Sequence, residues 1–279
     1  MIHISAFAKI NLYLEVLGRR EDGYHEIDSI MQSVSLADVI TLSKKETGIE
    51  IISSDLRIPQ DKNNTAYLAA EVFFDKTGLP GGIRIEIHKN IPISAGLAGG
   101  SADAAAVLFG LNNLYQTKLS ESDLLTLAAQ VGSDVSFCLK GGTCRCRGRG
   151  ELVEKIKDLE KTWLVLVKPD FGISTKWVYD NLNAAFIKEK RLTEAHIPLS
   201  AIHLYNDLEK VVVQKYPIIA EIKKKLIHLG CLQAEMSGSG PTVFGIAKDE
   251  DSAKNIFQEM QKEFPQTFLT HSVNNGLLT

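Results

Sequence analysis

Pro92-Ile93-Ser94-Ala95-Gly96-Leu97-Ala98-Gly99-Gly100-Ser101 follows a run in which Ile83, Ile85 and Ile87 alternate with Arg84, Glu86 and His88. It precedes a segment carrying Ala105, Leu108, Leu111 and Leu114. Period-two alternation predicts a half-buried strand, and the later spacing predicts an amphipathic helix starting near Ser101. Glycines between a strand and a helix let backbone N–H groups approach an anion closely, and the helix terminus adds partial positive charge. Phosphate is the natural guest. A P-loop would need Gly-Lys-Ser/Thr at its end, and no lysine stands there. The dinucleotide fingerprint Gly-x-Gly-x-x-Gly also fails, because the glycines fall at 96, 99 and 100. Read from this loop alone, a plain tight turn explains the glycines equally well.

On the N-terminal side, Ile2, Ile4, Ala6, Ala8, Ile10, Leu12, Leu14 and Val16 alternate with His3, Ser5, Lys9, Asn11 and Glu15. That pattern predicts one long strand with the even positions buried, placing Lys9 and Asn11 together on its other face. A turn over 18–23 leads into a return strand through Tyr24 and His25. Short strands are expected at Val39–Leu42 and Gly48–Ile52, and a helix over Asn64–Lys76 closed by Gly78.

C-terminal to the loop, a helix capped by Ser120 ends before Gly132-Ser133-Asp134, and a glycine-rich turn with a short strand pair spans 141–150. A strand is expected at Trp163–Val167, and helices over 174–187, 206–215 and 217–229. Gly238-Ser239-Gly240-Pro241 reads as a tight turn before a strand at Thr242–Ala247, followed by a helix over 251–264 and a strand near Phe268–Val273. Strands and helices mix without regular βαβ alternation, which predicts an α+β fold.

The chain has 279 residues, enough for two modest domains, with 44% hydrophobic and 23% charged residues and a formal net charge of -3. Nothing in that balance suggests a grip on nucleic acid or an anionic membrane, so a bound polyanion must meet local positive groups. No basic-then-apolar leader opens the sequence, and no apolar run approaches the roughly 18 residues of a bilayer span. The four cysteines, Cys138, Cys144, Cys146 and Cys231, lack a second Cys/His pair at zinc spacing. Reduced structural thiols in a cytoplasmic protein are expected.

Three segments in order resemble the GHMP kinases, the family of galactokinase, homoserine kinase and mevalonate kinase. They are Ala8-Lys9-Ile10-Asn11-Leu12, the loop from Pro92 to Ser101, and Gly238-Ser239-Gly240-Pro241-Thr242-Val243-Phe244-Gly245. The resemblance implies a two-domain GHMP kinase fold, divided as 1–158 and 159–279, with the active site in the inter-domain cleft. ATP would be held by Pro92 through Ala102, braced by the glycine loop at Gly238, Ser239 and Gly240. Many relatives carry two serines after the glycines, whereas Ala102 follows Ser101 here. Ser101 is then the single hydroxyl, with Asp103 either assisting through water or favouring the helix dipole.

Gly23-Tyr24-His25-Glu26, Gly132-Ser133-Asp134-Val135 and Gly148-Arg149-Gly150-Glu151 resemble one branch of that family, the diphosphocytidyl-methylerythritol kinases. A cytosine ring wants an aromatic to stack on and hydrogen-bonding groups at its polar edge. Tyr24 and His25 supply both, and the resemblance adds Tyr179 as the second side of a sandwich. It makes Asp134 the base with Lys9 beside it, and Asn11 a substrate contact. From the residues alone, Asp134 is a helix N-cap, Lys9 a solvated strand residue and Tyr179 a packing residue. The substrates implied are ATP and a cytidine diphosphate-linked methylerythritol, with Mg2+ and no dedicated metal cage, in a monomer or homodimer. Kinases of mevalonate-type or homoserine alcohols, and a non-catalytic nucleotide-binding relative, stay open.

Overall fold

The computed structural model describes residues 1–182 and 203–279. Strand β1 (Ile2–Arg19) and strand β2 (His25–Lys45) form one long antiparallel hairpin across a turn in which Gly23 takes φ 87°. No glycine or proline interrupts 25–45. The separate strand expected at Val39–Leu42 is therefore the far half of β2. Its length lets β2 offer one edge to two partners in succession. Strand β5 (Thr143–Gly148) pairs with Ile27–Gln32, and strand β4 (Gly82–His88) with Val39–Lys45.

Strand β3 (Gly48–Ser53) extends the sheet beside β4, and β6 (Leu152–Lys155) beside β5. Two-residue strands β8 (Tyr205–Asn206) and β12 (Leu277–Leu278) add to β1. A second sheet runs β11 (Thr267–His271), β7 (Trp163–Val167), β10 (Val243–Ile246), β9 (Gln233–Met236). A mixed sheet and an antiparallel one, with helices packed on them, make the α+β arrangement expected.

Helix α1 (Thr65–Thr77) is capped by the Asn64 side chain and closed by Gly78 at φ 61°, and α3 (Glu121–Val131) by a Ser120–Asp123 capping box. Helix α2 (Gly99–Tyr115) lies on β1 and β2, so close that a Cβ at Gly110 would stand 2.4 Å from Leu42 and 2.6 Å from Ile4. The short helix α4 (Val135–Lys140) had no sequence signal beyond Asp134 as a cap. Helix α5 (Thr175–Asp180) is shorter than the helix expected over 174–187, of which residues from 183 on lie outside the described residues. Helix α6 (Glu209–Lys215) starts later than 206 because Asn206 is committed to β8. On the second sheet, α7 (Ile218–His228) buries Ile219, Ile222 and Leu226, and α8 (Glu250–Gln261) buries Ala253, Ile256 and Met260.

One core gathers Ile4, Ala6, Ala8 and Ile10 with the alanines of α2, and another gathers Val165, Val167, Ile222 and Met260. Leu14, Val16 and Ile27 belong to the second core, so the tip of the first hairpin is embedded in the other half of the molecule.

Strand β1 is not buried on one face only. Every residue from Ala8 to Val16 is buried. A register shift against β2 between Asn11 and Tyr13 marks a β-bulge. It turns Leu14 to the cleft side with Lys9 and Asn11, while Tyr13 and Glu15 leave that side. A simple alternation cannot report such an exchange of faces.

Candidate active site

A cavity of about 860 Å³ lies between the two halves, lined by Lys9, Asn11, Tyr24, His25, the phosphate-type loop, Asp134, Tyr179, Gly238 and Ser239 among others. It gathers nearly every site residue read from the sequence.

At its centre Lys9 is only 4% exposed. Its ammonium donates to Asn11 Oδ1 at 2.6 Å, Asn11 Nδ2 donates to Ser29 Oγ at 2.9 Å, and Ser29 Oγ donates to the Tyr13 carbonyl at 2.6 Å. That chain of bonds fixes the lysine against the strand. Across from it, Asp134 Oδ2 stands 3.7 Å from Lys9 Nζ. Asp134 precedes α4, yet its side chain makes no capping hydrogen bond. Its carboxylate is therefore free to face the cleft, where it keeps 31% exposure.

The loop enters α2 through Ser94, Gly96 and Ala98, all at positive φ (52°, 75° and 57°). A left-handed alanine is costly and is held by its surroundings. The first bond of the helix runs from Ala102 N to Ala98 O. The amides of Gly99, Gly100 and Ser101 thus point out of the helix end, where a phosphate is best received. Pro92 to Gly96 and Ala98 to Ser101 line the cleft, while Leu97 and Ala102, at 1% and 0% exposure, turn into the core. Thr65 Oγ1 donates to Gly100 O at 2.7 Å and steadies the first turn.

Asp103 lines the cleft and is held from one side by Lys89. Lys89 donates to Asp103 Oδ2 at 2.8 Å and also to Asp38, whose other oxygen accepts the amides of Asn90 and Ile91. This buried triad ties the start of the loop to its end. Burial pushes the Asp103 carboxyl up to about 8, against the pull of Lys89 and with the help of Asp38. Its Oδ1 has no hydrogen-bond partner.

The second glycine loop braces the first. Ser237 Oγ donates to Gly96 O at 2.9 Å, and Thr242 N to Ala95 O at 3.3 Å. A Cβ at Gly96 would fall 2.3 Å from the Ser237 carbonyl oxygen. Gly238, at φ 55°, abuts Lys9, since a Cβ there would stand 3.0 Å from its Nζ. Ser239 shares a hydrogen bond of 2.8 Å with Thr175 at the head of α5. Gly240 does not line the cleft.

The far end of the cleft is aromatic. Tyr24 is 50% exposed, with the Arg149 guanidinium 5.0 Å from its ring centre. His25 stacks on Tyr179 at 5.0 Å and 28° between planes. Tyr179 therefore packs on His25, and Tyr24 presents its ring separately. Burial, then the nearby Arg19, lowers the His25 pKa, keeping the ring neutral, and burial raises that of Tyr179. Lys89 and Thr65 were not singled out from the sequence, and Arg149 was noted only within Gly148-Arg149-Gly150-Glu151, without a role. Arg149 lies in a glycine-flanked motif, which was a usable signal; Lys89 and Thr65 have none. Among the described residues, no group of three or more His, Cys, Asp or Glu is placed to hold a metal ion.

The fold and this site define a class. Residues 64–142 match the GHMP kinases N terminal domain and residues 183–266 the GHMP kinases C terminal domain. The chain belongs to the GHMP kinases. A protein of Syntrophomonas wolfei named 4-diphosphocytidyl-2-C-methyl-D-erythritol kinase is 45% identical over 97% of this chain and 98% of its own. One of the same name from Acetivibrio thermocellus is 42% identical over 98% of this chain and 99% of its own. A crystal structure of 4-(cytidine 5'-diphospho)-2C-methyl-D-erythritol kinase superposes with a TM-score of 0.84 at 32% identity, over 97% of this chain and 99% of that one. Homoserine kinase from Cytophaga hutchinsonii, 22% identical with a TM-score of 0.72 over 99% of this chain and 96% of that one, shares the fold.

Proposed function

We propose that this chain transfers the γ-phosphoryl group of ATP to the 2-hydroxyl of 4-diphosphocytidyl-2-C-methyl-D-erythritol, a step of non-mevalonate isoprenoid biosynthesis. One observation carries it. The Lys9–Asp134 pair, 3.7 Å apart, stands between a phosphate-receiving helix end and an aromatic pocket in a single cavity. The near-full-length identity to kinases of that name supports the choice of acceptor.

Phosphoryl transfer passes through a loose transition state, so positioning and charge stabilisation carry most of the catalysis. The amides of Gly99, Gly100 and Ser101 hold the phosphates of ATP. Lys9, fixed by Asn11, offsets charge on the transferred group. Asp134 accepts the proton of the attacking hydroxyl late in the step. Tyr24 stacks on the cytosine, with His25 at the polar edge and Tyr179 backing His25. The oxygen-only requirement of Mg2+ fits a site with the Ser101 hydroxyl at the end of the loop and phosphate oxygens, because this ion keeps several waters. When bound, it neutralises phosphate oxygens. Asp103 gives one oxygen to Lys89 and is not assigned to the ion.

We infer a division into two domains near residue 158, supported by two cores, and a cytoplasmic setting, supported by four buried free thiols. No helix among the described residues is long and apolar enough to cross a membrane.

ADP release measured with the cytidylated methylerythritol, mevalonate and homoserine as acceptors tests the function. Turnover is expected with the first alone; faster turnover with either of the others would replace the acceptor.

A further inference from the structure

Asn206 ends β8, where it pairs with Leu14 of β1 in parallel register. It is 4% exposed. Its Nδ2 donates to the carbonyls of Met236 and Gly238, each at 2.8 Å, and its Oδ1 accepts from Leu208 N at 3.0 Å. Both amide hydrogens are thus spent on one stretch of backbone, the entrance to the second glycine loop. The reversed amide would set an oxygen against two carbonyl oxygens, so the orientation is fixed.

That stretch forms the wall against the reacting groups. The Cβ position of Gly238 lies 3.0 Å from Lys9 Nζ, 3.2 Å from Gly96 O and 3.3 Å from Asn11 Oδ1. Asn206 holds this backbone from behind. Its neighbour Asp207 fastens the segment to β1 independently, giving its N–H to Leu14 O at 3.0 Å and accepting from Val16 N at 3.0 Å. Anchoring of β8 and control of the glycine loop are therefore divided between adjacent residues.

We propose that Asn206 is a positioning residue for phosphoryl transfer. By holding the Met236 and Gly238 carbonyls it fixes Gly238 against Lys9, and so sets where the lysine ammonium stands relative to Asp134. The proposal rests on the catalytic reading of Lys9 and Asp134.

Asn206→Asp keeps the volume and the acceptor for Leu208 N–H, but replaces the two donors with a charged oxygen facing two carbonyls. Asn206→Ala removes the group without adding charge. Both are compared with Lys9→Met for kcat, each KM, the pH profile of kcat and far-UV circular dichroism. A displaced wall misplaces Lys9, and misplacement on the ångström scale can cost about 10²-fold. The expected result is a kcat loss of about that size with each KM within about twofold, because binding of the ends is untouched. The pH profile of kcat shifts, since the field at Asp134 changes. A kcat and pH profile like those of the unmodified enzyme in both Asn206 variants, beside an inactive Lys9→Met, overturns the role of Asn206 alone. Loss of folding in both variants also overturns it, assigning Asn206 to stability. Turnover retained in Lys9→Met removes the catalytic reading itself, and the proposal with it.

Discussion

The Ser237 hydroxyl donates to the Gly96 carbonyl, joining two glycine loops 141 residues apart in sequence. Gly96 takes φ 75°, and a Cβ on it would fall 2.3 Å from the Ser237 carbonyl oxygen. The two loops are thus a single rigid cradle whose closeness depends on the absence of a side chain. Gly96→Ala has to move backbone as well as adopt a strained conformation. A stability loss of at least about 1–3 kcal/mol is expected with a raised KM for ATP, read by thermal melts and initial rates.

Asp134→Asn removes the proposed proton acceptor while keeping its size. Loss of a general base costs about 10²–10⁴-fold in kcat. Binding of a cytidine diphosphate ligand, followed by calorimetry, should be little changed, because Asp134 stands at the reacting end. A variant retaining most of its kcat would remove Asp134 as the base.

Tyr24→Ala is expected to act on the acceptor end alone. Losing one stacking partner costs about 0.5–1.5 kcal/mol, roughly twofold to twelvefold in KM for the cytidylated substrate. KM for ATP should hold. Arg149→Ala, which removes the guanidinium over the Tyr24 ring, should give a smaller change in the same direction. Equal effects of either variant on both substrates would contradict the division of the cleft.

Glu235 provides a test in pH. Lys223 donates to Glu209 at 2.7 Å and to Glu235 at 3.1 Å. Burial, then Glu209, outweighs the lysine and pushes Glu235 up to about 8 from an ordinary 4.5. A carboxyl raised on folding binds its proton more tightly in the native state, so its contribution is fully present below about 4.5 and falls as pH rises towards 8. The thermal midpoint should therefore decline across that window in the unmodified protein. Glu235→Gln, which mimics the protonated form, should flatten the decline; an unaltered slope would sink the assignment.

Much of this was legible in local sequence. Ser120 caps a helix where it was expected to, the helix expected over Asn64–Lys76 forms with Asn64 as its cap, and Gly78 closes it in the left-handed conformation, because capping involves atoms within a few residues. The strand Trp163–Val167 was read to the residue. Short elements that exist only by pairing, such as Tyr205–Asn206 and Leu277–Leu278, were not readable, since two residues carry no periodicity.

The sequence by itself determined a glycine-rich passage from strand to helix, a lysine and an asparagine on one side of a long strand, and an α+β succession of elements. Each follows from interactions within a turn or a pleat. Only the tertiary structure decided that the strand carries a bulge after Asn11, that Lys9 meets Asp134, that Lys89 pairs with Asp103, and that Tyr179 packs on His25. Those relationships join residues far apart in the chain, and their geometry depends on how two sheets and their helices pack. No local periodicity encodes that distance.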